Sequence, residues 1–406
     1  MGVVNSPDGA LLPERGVLLH IGPHKTGTTA LQSSFAESSD DLAALGVAVT
    51  PSKLQRVGAG AVTQRTLGGM QHGTYPKARV WRQLQKSVRR ASDRKVVVSS
   101  ELFSDATDAQ IPAIIDGLGA DRVRVLVTVR PLEKLLPSTW QQAIKNGAPP
   151  TYENWINRVL RGPDGANLSK TARKFWSRHD HARLVERWAA VVGIDNVAVL
   201  VVDESNPANL LHDVEQLIGV PRGSLRPGGS RNRSLTAPEA EAVRRAYLVL
   251  GGDAMDRQLA QRWMHRGAVI NLIDSRKPPA DEPRLVTPAA QVLRAREIGA
   301  QIRERLVASG VRIVGDPDSL VPTSTPPDVT FVEPTDVADD VVAELLAGLY
   351  RAAEVDLASV RAQPATSLSS RAMLSEVRRR AVSRVRRQEP RETPPDLVES
   401  SADPDA

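Results

Sequence analysis

Val17-Leu18-Leu19-His20-Ile21-Gly22-Pro23-His24-Lys25-Thr26-Gly27-Thr28-Thr29-Ala30-Leu31-Gln32 is an apolar run that breaks into a Gly/Thr-rich turn and then resumes with helical character. It reads as strand, phosphate loop, helix. A helix entered in this way presents unpaired backbone N–H groups and the positive end of its dipole to whatever occupies the turn, so the fitting ligand is a phosphate or a similar anion. Lys25 adds a full positive charge.

Spacing narrows the reading. A loop for ATP or GTP follows G-x-x-x-x-G-K-[ST], whereas here Gly22 and Gly27 are followed by Thr28-Thr29, and the lysine has moved inside the loop to Lys25. His24-Lys25-Thr26-Gly27-Thr28-Thr29 on a strand-to-helix turn resembles the 5′-phosphosulfate loop of the sulfotransferases that use 3′-phosphoadenosine 5′-phosphosulfate (PAPS). The resemblance implies a P-loop-NTPase-like three-layer α/β/α fold with a central parallel sheet. It also implies that PAPS is the sulfuryl donor and 3′,5′-ADP the product, with no metal. By the same resemblance the backbone N–H groups of Thr26, Gly27, Thr28 and Thr29 hold the 5′-phosphate, Thr28 or Thr29 adds a hydroxyl, and Lys25 steadies the leaving phosphate.

Two further stretches carry the likeness. Val127-Thr128-Val129-Arg130-Pro131 ends an apolar run, and Ser138 follows eight residues after the arginine. This resembles the family's 3′-phosphate motif, in which a planar guanidinium suited to bidentate phosphate contacts works with a helix serine. Between the two phosphate motifs, Lys95-Val96-Val97-Val98-Ser99-Ser100-Glu101 is a short buried strand ending in an acid. Ligands of open α/β sheets sit outside the carboxyl ends of the strands, which makes Glu101 the candidate general base for an acceptor hydroxyl. His24 and His20 flank the loop as rival bases. Arg231 and Asn232 lie where relatives return a late loop over the nucleotide. Cytosolic small-molecule members carry a tryptophan soon after the loop threonines; Ala30-Leu31-Gln32 is more similar to carbohydrate-directed and bacterial members, which implies a glycan, glycolipid or small-metabolite acceptor.

Composition agrees with a large soluble α/β chain. Its 406 residues suffice to bury a sizeable core, and the absence of cysteine removes disulfides, thiolate nucleophiles and cysteine metal sites. The net charge of +6 invites a nucleic-acid reading, but aromatics make up only 3%, too few for a stacking platform, and no nucleic-acid partner is expected. Much of the excess lies in 371–387, where Arg378, Arg379, Arg380, Arg384, Arg386 and Arg387 crowd together. That segment suggests peripheral contact with an anionic membrane face; with no long apolar run, the expected location is cytoplasmic. Asp203-Glu204 after Val197–Val202 mimics a magnesium-binding strand end but does not discriminate, and no H-E-x-x-H-type spacing occurs.

The expected organisation is a flexible N-terminus (1–16), a sulfotransferase-like α/β domain (17–320) with additional helices from about 236, a Pro-rich connector and C-terminal helix (321–362), and a basic then acidic disordered tail (363–406). Ser52 to Tyr75 reads as a long loop near the site, and Arg161 to Lys174 as a polar loop. Rival readings are a P-loop kinase or NTPase using ATP, disfavoured by Thr28 at the lysine position, and a non-catalytic nucleotide-binding or membrane-surface protein.

Overall fold

The computed structural model describes residues 9–63, 77–147, 150–165, 167–203, 205–229, 233–252, 255–331, 334 and 336–362. Strands β1 (Val17–Gly22), β2 (Val47–Val49), β3 (Lys95–Ser99), β4 (Val123–Val129), β5 (Val197–Val201) and β6 (Arg312–Val314) form one sheet in the order β2-β3-β1-β4-β5-β6. Every pairing is parallel. The inner strands are the apolar runs seen in the sequence, because a strand covered on both faces must be apolar at successive positions.

In chain order the helices are α1 (Thr28–Glu37), α2 (Ser39–Ala44), α3 (Ser52–Val62), α4 (Lys77–Arg90), α5 (Ile111–Leu118), α6 (Leu132–Ile144), α7 (Tyr152–Val159), α8 (Lys170–His179), α9 (His181–Val192), α10 (Pro207–Ile218) and α11 (Ala237–Val249). Then α12 (Arg257–Leu259) runs into a π-helical stretch, Ala260–Val269, and on into α13 (Ile270–Ser275). Last come α14 (Ala289–Ala308) and α15 (Asp339–Ala362).

Alternation along the strands sorts these helices into two layers. Leu18, Val97, Leu126, Ala198 and Leu200 pack with Leu31 and Phe35 of α1, Leu42 of α2 and Leu210, Val214 and Ile218 of α10. On the other face Val17, Leu19, Ile21, Val96, Val98, Val125 and Val127 meet residues such as Leu84, Leu135, Trp188, Val243 and Ile298. The molecule is therefore an α/β/α sandwich around a parallel sheet, as the strand–helix alternation predicts.

Contacts divide the chain into Met1–Ala352 and Ala353–Ala406; the described part of the second is the end of α15. Within the first, α15 lies directly on the preceding helices. Asn271 Nδ2 donates to Glu344 O (2.8 Å) and Oε2 (2.7 Å), and a Cβ on Gly348 would sit 2.5 Å from Gly267 O. The tail expected from 363, with its arginines, lies outside the described residues. No described helix is long and apolar enough to cross a membrane.

The sequence reading needs correction in several places. Ser52–Val62, expected as loop, is helical: Gly58, Ala59 and Gly60 are buried, and a Cβ on Gly58 would come 2.9 Å from Leu84 of α4. The small residues that lower helix propensity are what let the two helices approach, so packing overrides propensity. Residues 64–76 of that expected loop lie outside the described residues. The polar loop from Arg161 ends earlier than expected, at Ser169, whose hydroxyl caps α8 by accepting from Ala172 N (3.2 Å). The run 257–275 and the edge strand β6 were not anticipated, the latter because three residues carry too little pattern.

Candidate active site

Strand pairing sets the site. β1 leads to the far edge of the sheet while its neighbours β3 and β4 lie on either side, so the segments leaving these three strands open onto one crevice at their carboxyl ends. His20 is in register with Ser99 of β3, and Gly22 with Val127 of β4. The loop after β1, Glu101 and Arg130 are thereby brought together.

The loop is held from beneath by a hydroxyl network. Thr26 Oγ1 donates to Pro23 O (2.6 Å) and lies 2.7 Å from Thr128 Oγ1, and His20 lies between Thr128 Oγ1 (Nε2, 3.2 Å) and Ser99 Oγ (Nδ1, 2.8 Å). Thr26 spends its proton on Pro23 O, so the Thr128 proton is shared between Thr26 Oγ1 and Gly22 O (3.3 Å), while Thr128 accepts from His20 Nε2–H and Ser99 donates to Nδ1. Every member is satisfied. The Thr26 side chain is thus a brace beneath the loop, which leaves its backbone N–H for the role expected of it. His20 is fully buried, and burial lowers its pKa to about 4 against the opposing charge of Glu101, so it is neutral and structural. Its expectation as a base is withdrawn, since both ring nitrogens are occupied.

Above the brace the loop is open. Gly22 takes φ +85° and lies against Glu101, whose Cα would be 3.1 Å from an added Cβ; a side chain here would be strained and would displace Glu101. Gly27, at φ +84°, caps α1 with no side-chain partner, and no acid lies in the first turn. The first N–H groups of α1 are therefore offered to a ligand. Thr28 Oγ1 donates to Pro23 O (3.2 Å), while the Thr29 hydroxyl is exposed and makes no hydrogen bond among the described residues.

Lys25 adopts φ +68°, and its carbonyl accepts from Arg130 Nη1 (2.7 Å), which ties β4 to the loop. Burial and then the Arg130 charge lower the Lys25 pKa, with Glu101 opposing. Ser138, half-buried on α6, turns its hydroxyl back onto Leu135 O (3.0 Å). Arg231 and Asn232 lie outside the described residues.

Glu101 Oε2 accepts from Gln32 Nε2 (3.0 Å), a residue one turn beyond Thr28 on α1. Burial would raise this carboxyl, yet His24, its own backbone N–H, Gln32 and Arg56 together hold it below the usual range, so it is ionised at neutral pH. His24 Nε2 lies 3.4 Å from Asp105 Oδ2, and Arg178 grips Asp105 through Nε (2.6 Å) and Nη2 (3.0 Å). Burial and the Arg178 charge lower the His24 pKa against the pull of Asp105, leaving a neutral ring whose Nδ1 keeps a lone pair.

Sequence reasoning missed Gln32, although its spacing of four from Thr28 puts it on the same helix face. It also missed Asp105, Arg178 and Lys145. Lys145, which ends α6, is half-buried, and its side chain makes no hydrogen bond or ion pair among the described residues. Burial, Lys25 and Arg233 together lower its pKa from 10.5 to about 8.

An ammonium held in that state costs stability. Its folded pKa lies below the unfolded value, so the unfolded chain binds the extra proton; the penalty is full below about pH 8 and fades as pH rises toward 10.5. Lys145→Met, which keeps the stem, is expected to stabilise the ligand-free protein at pH 7 by about 1–3 kcal/mol, with the gain shrinking by pH 10. Urea unfolding at the two pH values checks this, and unchanged midpoints at pH 7 would contradict it.

A cavity of about 520 Å³ lies beyond the carboxyl ends of β4 and β5, lined among others by Pro131, Val202, Asp203, Asn209, Asp213 and Asp316. Among the described residues no group of three or more His, Cys, Asp or Glu could hold a metal ion.

The fold and this crevice are those of an α/β protein with a strand–glycine-containing loop–helix unit at the carboxyl edge of its parallel sheet. No protein-family model and no curated protein matches the chain. Among solved structures it is similar to one titled as a sulfotransferase from Alicyclobacillus acidocaldarius, with 14% identity, a TM-score of 0.37, and coverage of 61% of this chain and 94% of that one. Nothing about substrate or chemistry follows from a likeness of that size.

Proposed function

We propose that the protein is a sulfotransferase that moves the sulfuryl group of PAPS to a hydroxyl of a glycan, glycolipid or small metabolite. The observation that carries the proposal is the convergence of Lys25 and Arg130 on the uncapped N-terminus of α1, with the ionised Glu101 opposite. Lys25 stands inside the loop, a place that differs from the ATP-type arrangement and resembles the phosphosulfate-binding one.

In this reading the N–H groups of Thr28 and Thr29, with the exposed Thr29 hydroxyl, hold the 5′-phosphate, and Arg130 with Ser138 takes the 3′-phosphate. The cavity beside Val202 is large enough for the nucleoside, at about 520 Å³. Glu101 accepts the acceptor's proton while the acceptor oxygen bonds to sulfur. The S–O bond to the 5′-phosphate breaks with its electron pair going to the phosphate oxygen, where Lys25 meets the developing charge. The products are a sulfate ester and 3′,5′-ADP.

The test is nucleotide selectivity. By calorimetry, 3′,5′-ADP is expected to bind more tightly than ATP or 5′-AMP. Arg130→Ala is expected to lose about ten- to hundredfold in 3′,5′-ADP affinity, a charge-assisted contact of about 1.5–3 kcal/mol, while 5′-AMP binding stays nearly unchanged. Tighter ATP binding, or equal losses for both ligands, would reject the 3′-phosphate site and with it PAPS as donor.

A further inference from the structure

Two segments leaving neighbouring strands carry the residues assigned above: the loop after β1 carries Lys25, and the 3₁₀ turn Glu101–Asp105 after β3 carries Glu101. They meet at two points. At one, Gly22 packs on Glu101, whose Cα would be 3.1 Å from an added Cβ. At the other, His24 Nε2 lies 3.4 Å from Asp105 Oδ2; a carboxylate paired with arginine only accepts, so the ring donates here. Between these points the turn is closed on itself, since Ser104 Oγ donates to Glu101 O (2.7 Å) and Phe103 is wholly buried. Whatever fixes Asp105 therefore fixes the far end of the turn and, through His24, the loop.

Arg178 fixes it from the helical layer. Its planar fork takes both carboxylate oxygens, Nε on Oδ1 (2.6 Å) and Nη2 on Oδ2 (3.0 Å), with the two side chains only 10% and 8% exposed. Arg178 stands in the last turn of α8, which the buried Phe175 and Trp176 anchor in the core, Trp176 Nε1 donating to Val159 O (2.9 Å). Desolvation offsets most of the attraction in an ion pair this deep, so stability alone is a poor reason for it. The loop supplies another reason. Lys25 stands at φ +68°, a left-handed conformation that is costly for a residue with a side chain and persists only where the surroundings hold it. On the β4 side the hold is Arg130 Nη1 on Lys25 O (2.7 Å) and Thr26 Oγ1 against Thr128 Oγ1 (2.7 Å). On the β3 side it is His24 on Asp105.

We propose that Arg178 and Asp105 are positioning residues: acting through His24, they hold the loop after β1 in the backbone conformation that receives the donor's 5′-phosphate, and neither touches the donor. The inference rests on the sulfuryl-donor reading.

The test uses two nucleotides on the full chain, because 3′,5′-ADP and 3′-AMP differ by the 5′-phosphate alone and the ratio of their affinities reads the loop. Calorimetry of 3′,5′-ADP on the unaltered protein comes first; no binding there would remove the donor reading and this inference with it. Asp105→Leu combined with Arg178→Met removes both charges at once, so that no unpaired charge stays buried. This pair is expected to weaken 3′,5′-ADP about tenfold and 3′-AMP by less than about twofold, the pattern of a site that has lost its preorganisation for one group. His24→Ala should give the same pattern, and adding it to the pair should cost no more than about a further twofold, because both changes cut one link. His24→Gln, whose amide N–H reaches about as far as the ring Nε2–H, should keep 3′,5′-ADP affinity within about threefold. Equal losses for the two nucleotides would mark the link as general support of the fold and overturn the proposal. So would unchanged 3′,5′-ADP affinity in the paired variant, or losses that add fully when His24→Ala joins it. Should the paired variant fail to fold, His24→Ala against His24→Gln decides: equal affinities of these two for 3′,5′-ADP would overturn the proposal.

Discussion

Lys25→Ala is expected to lower sulfuryl transfer by about two to three orders of magnitude, the scale of removing one preorganised charge stabiliser from a site where charge develops in the transition state. The loss should fall on kcat more than on donor binding, because the N–H groups of α1 and Arg130 remain. The fold should survive: the side chain is only half-buried and the hydroxyl brace beneath the loop runs through Thr26, Thr128, His20 and Ser99 without it. Near-normal turnover with PAPS would show that the loop does not serve the donor. Measured beside it, Glu101→Gln should fall at least as far as His24→Asn. The reverse order would move the proton-accepting role to His24, which Asp105 and Arg178 hold in a fixed orientation.

Arg276→Leu is expected to destabilise the protein by about 2–4 kcal/mol, because it removes the one guanidinium shared by the buried Glu239 and by Glu282 and Asp340, and leaves Glu239 with Arg233 alone. Arg276 is 3% exposed and donates to Glu239 (2.9 Å), to both oxygens of Glu282 (2.8 and 2.6 Å) and to Asp340 (2.7 Å). Glu239 is wholly buried; it accepts from Thr236 N as the far half of a capping box on α11 and takes both terminal nitrogens of Arg233. One side chain therefore fastens the start of α11, the end of α13 and the start of α15. Urea unfolding of the variant measures the effect, and a shift under about 1 kcal/mol would mean that water or rearranged neighbours compensate the acids.

The local elements of this protein were written in short stretches of sequence. The apolar run 17–22, the turn containing Gly22 and Gly27, and the helix-forming run from Thr28 specify strand, loop and helix without help from distant residues, because chain stiffness and periodicity act over a few positions. The unbroken apolar runs at 95–99, 123–129 and 197–201 announce strands buried on both faces, and Thr236 with Glu239 announces a helix start. The alternation of these elements was enough for the α/β class and for placing Lys25, Glu101 and Arg130 at one sheet edge.

Tertiary structure decided what those residues do there. Thr26 and Thr28 are neighbours of the same type as Thr29, yet pairing of β1 with β4 brings Thr128 under the loop and turns Thr26 into a brace, while Thr29 stays open. Ser52–Val62 is a helix only because Leu84 receives its small residues.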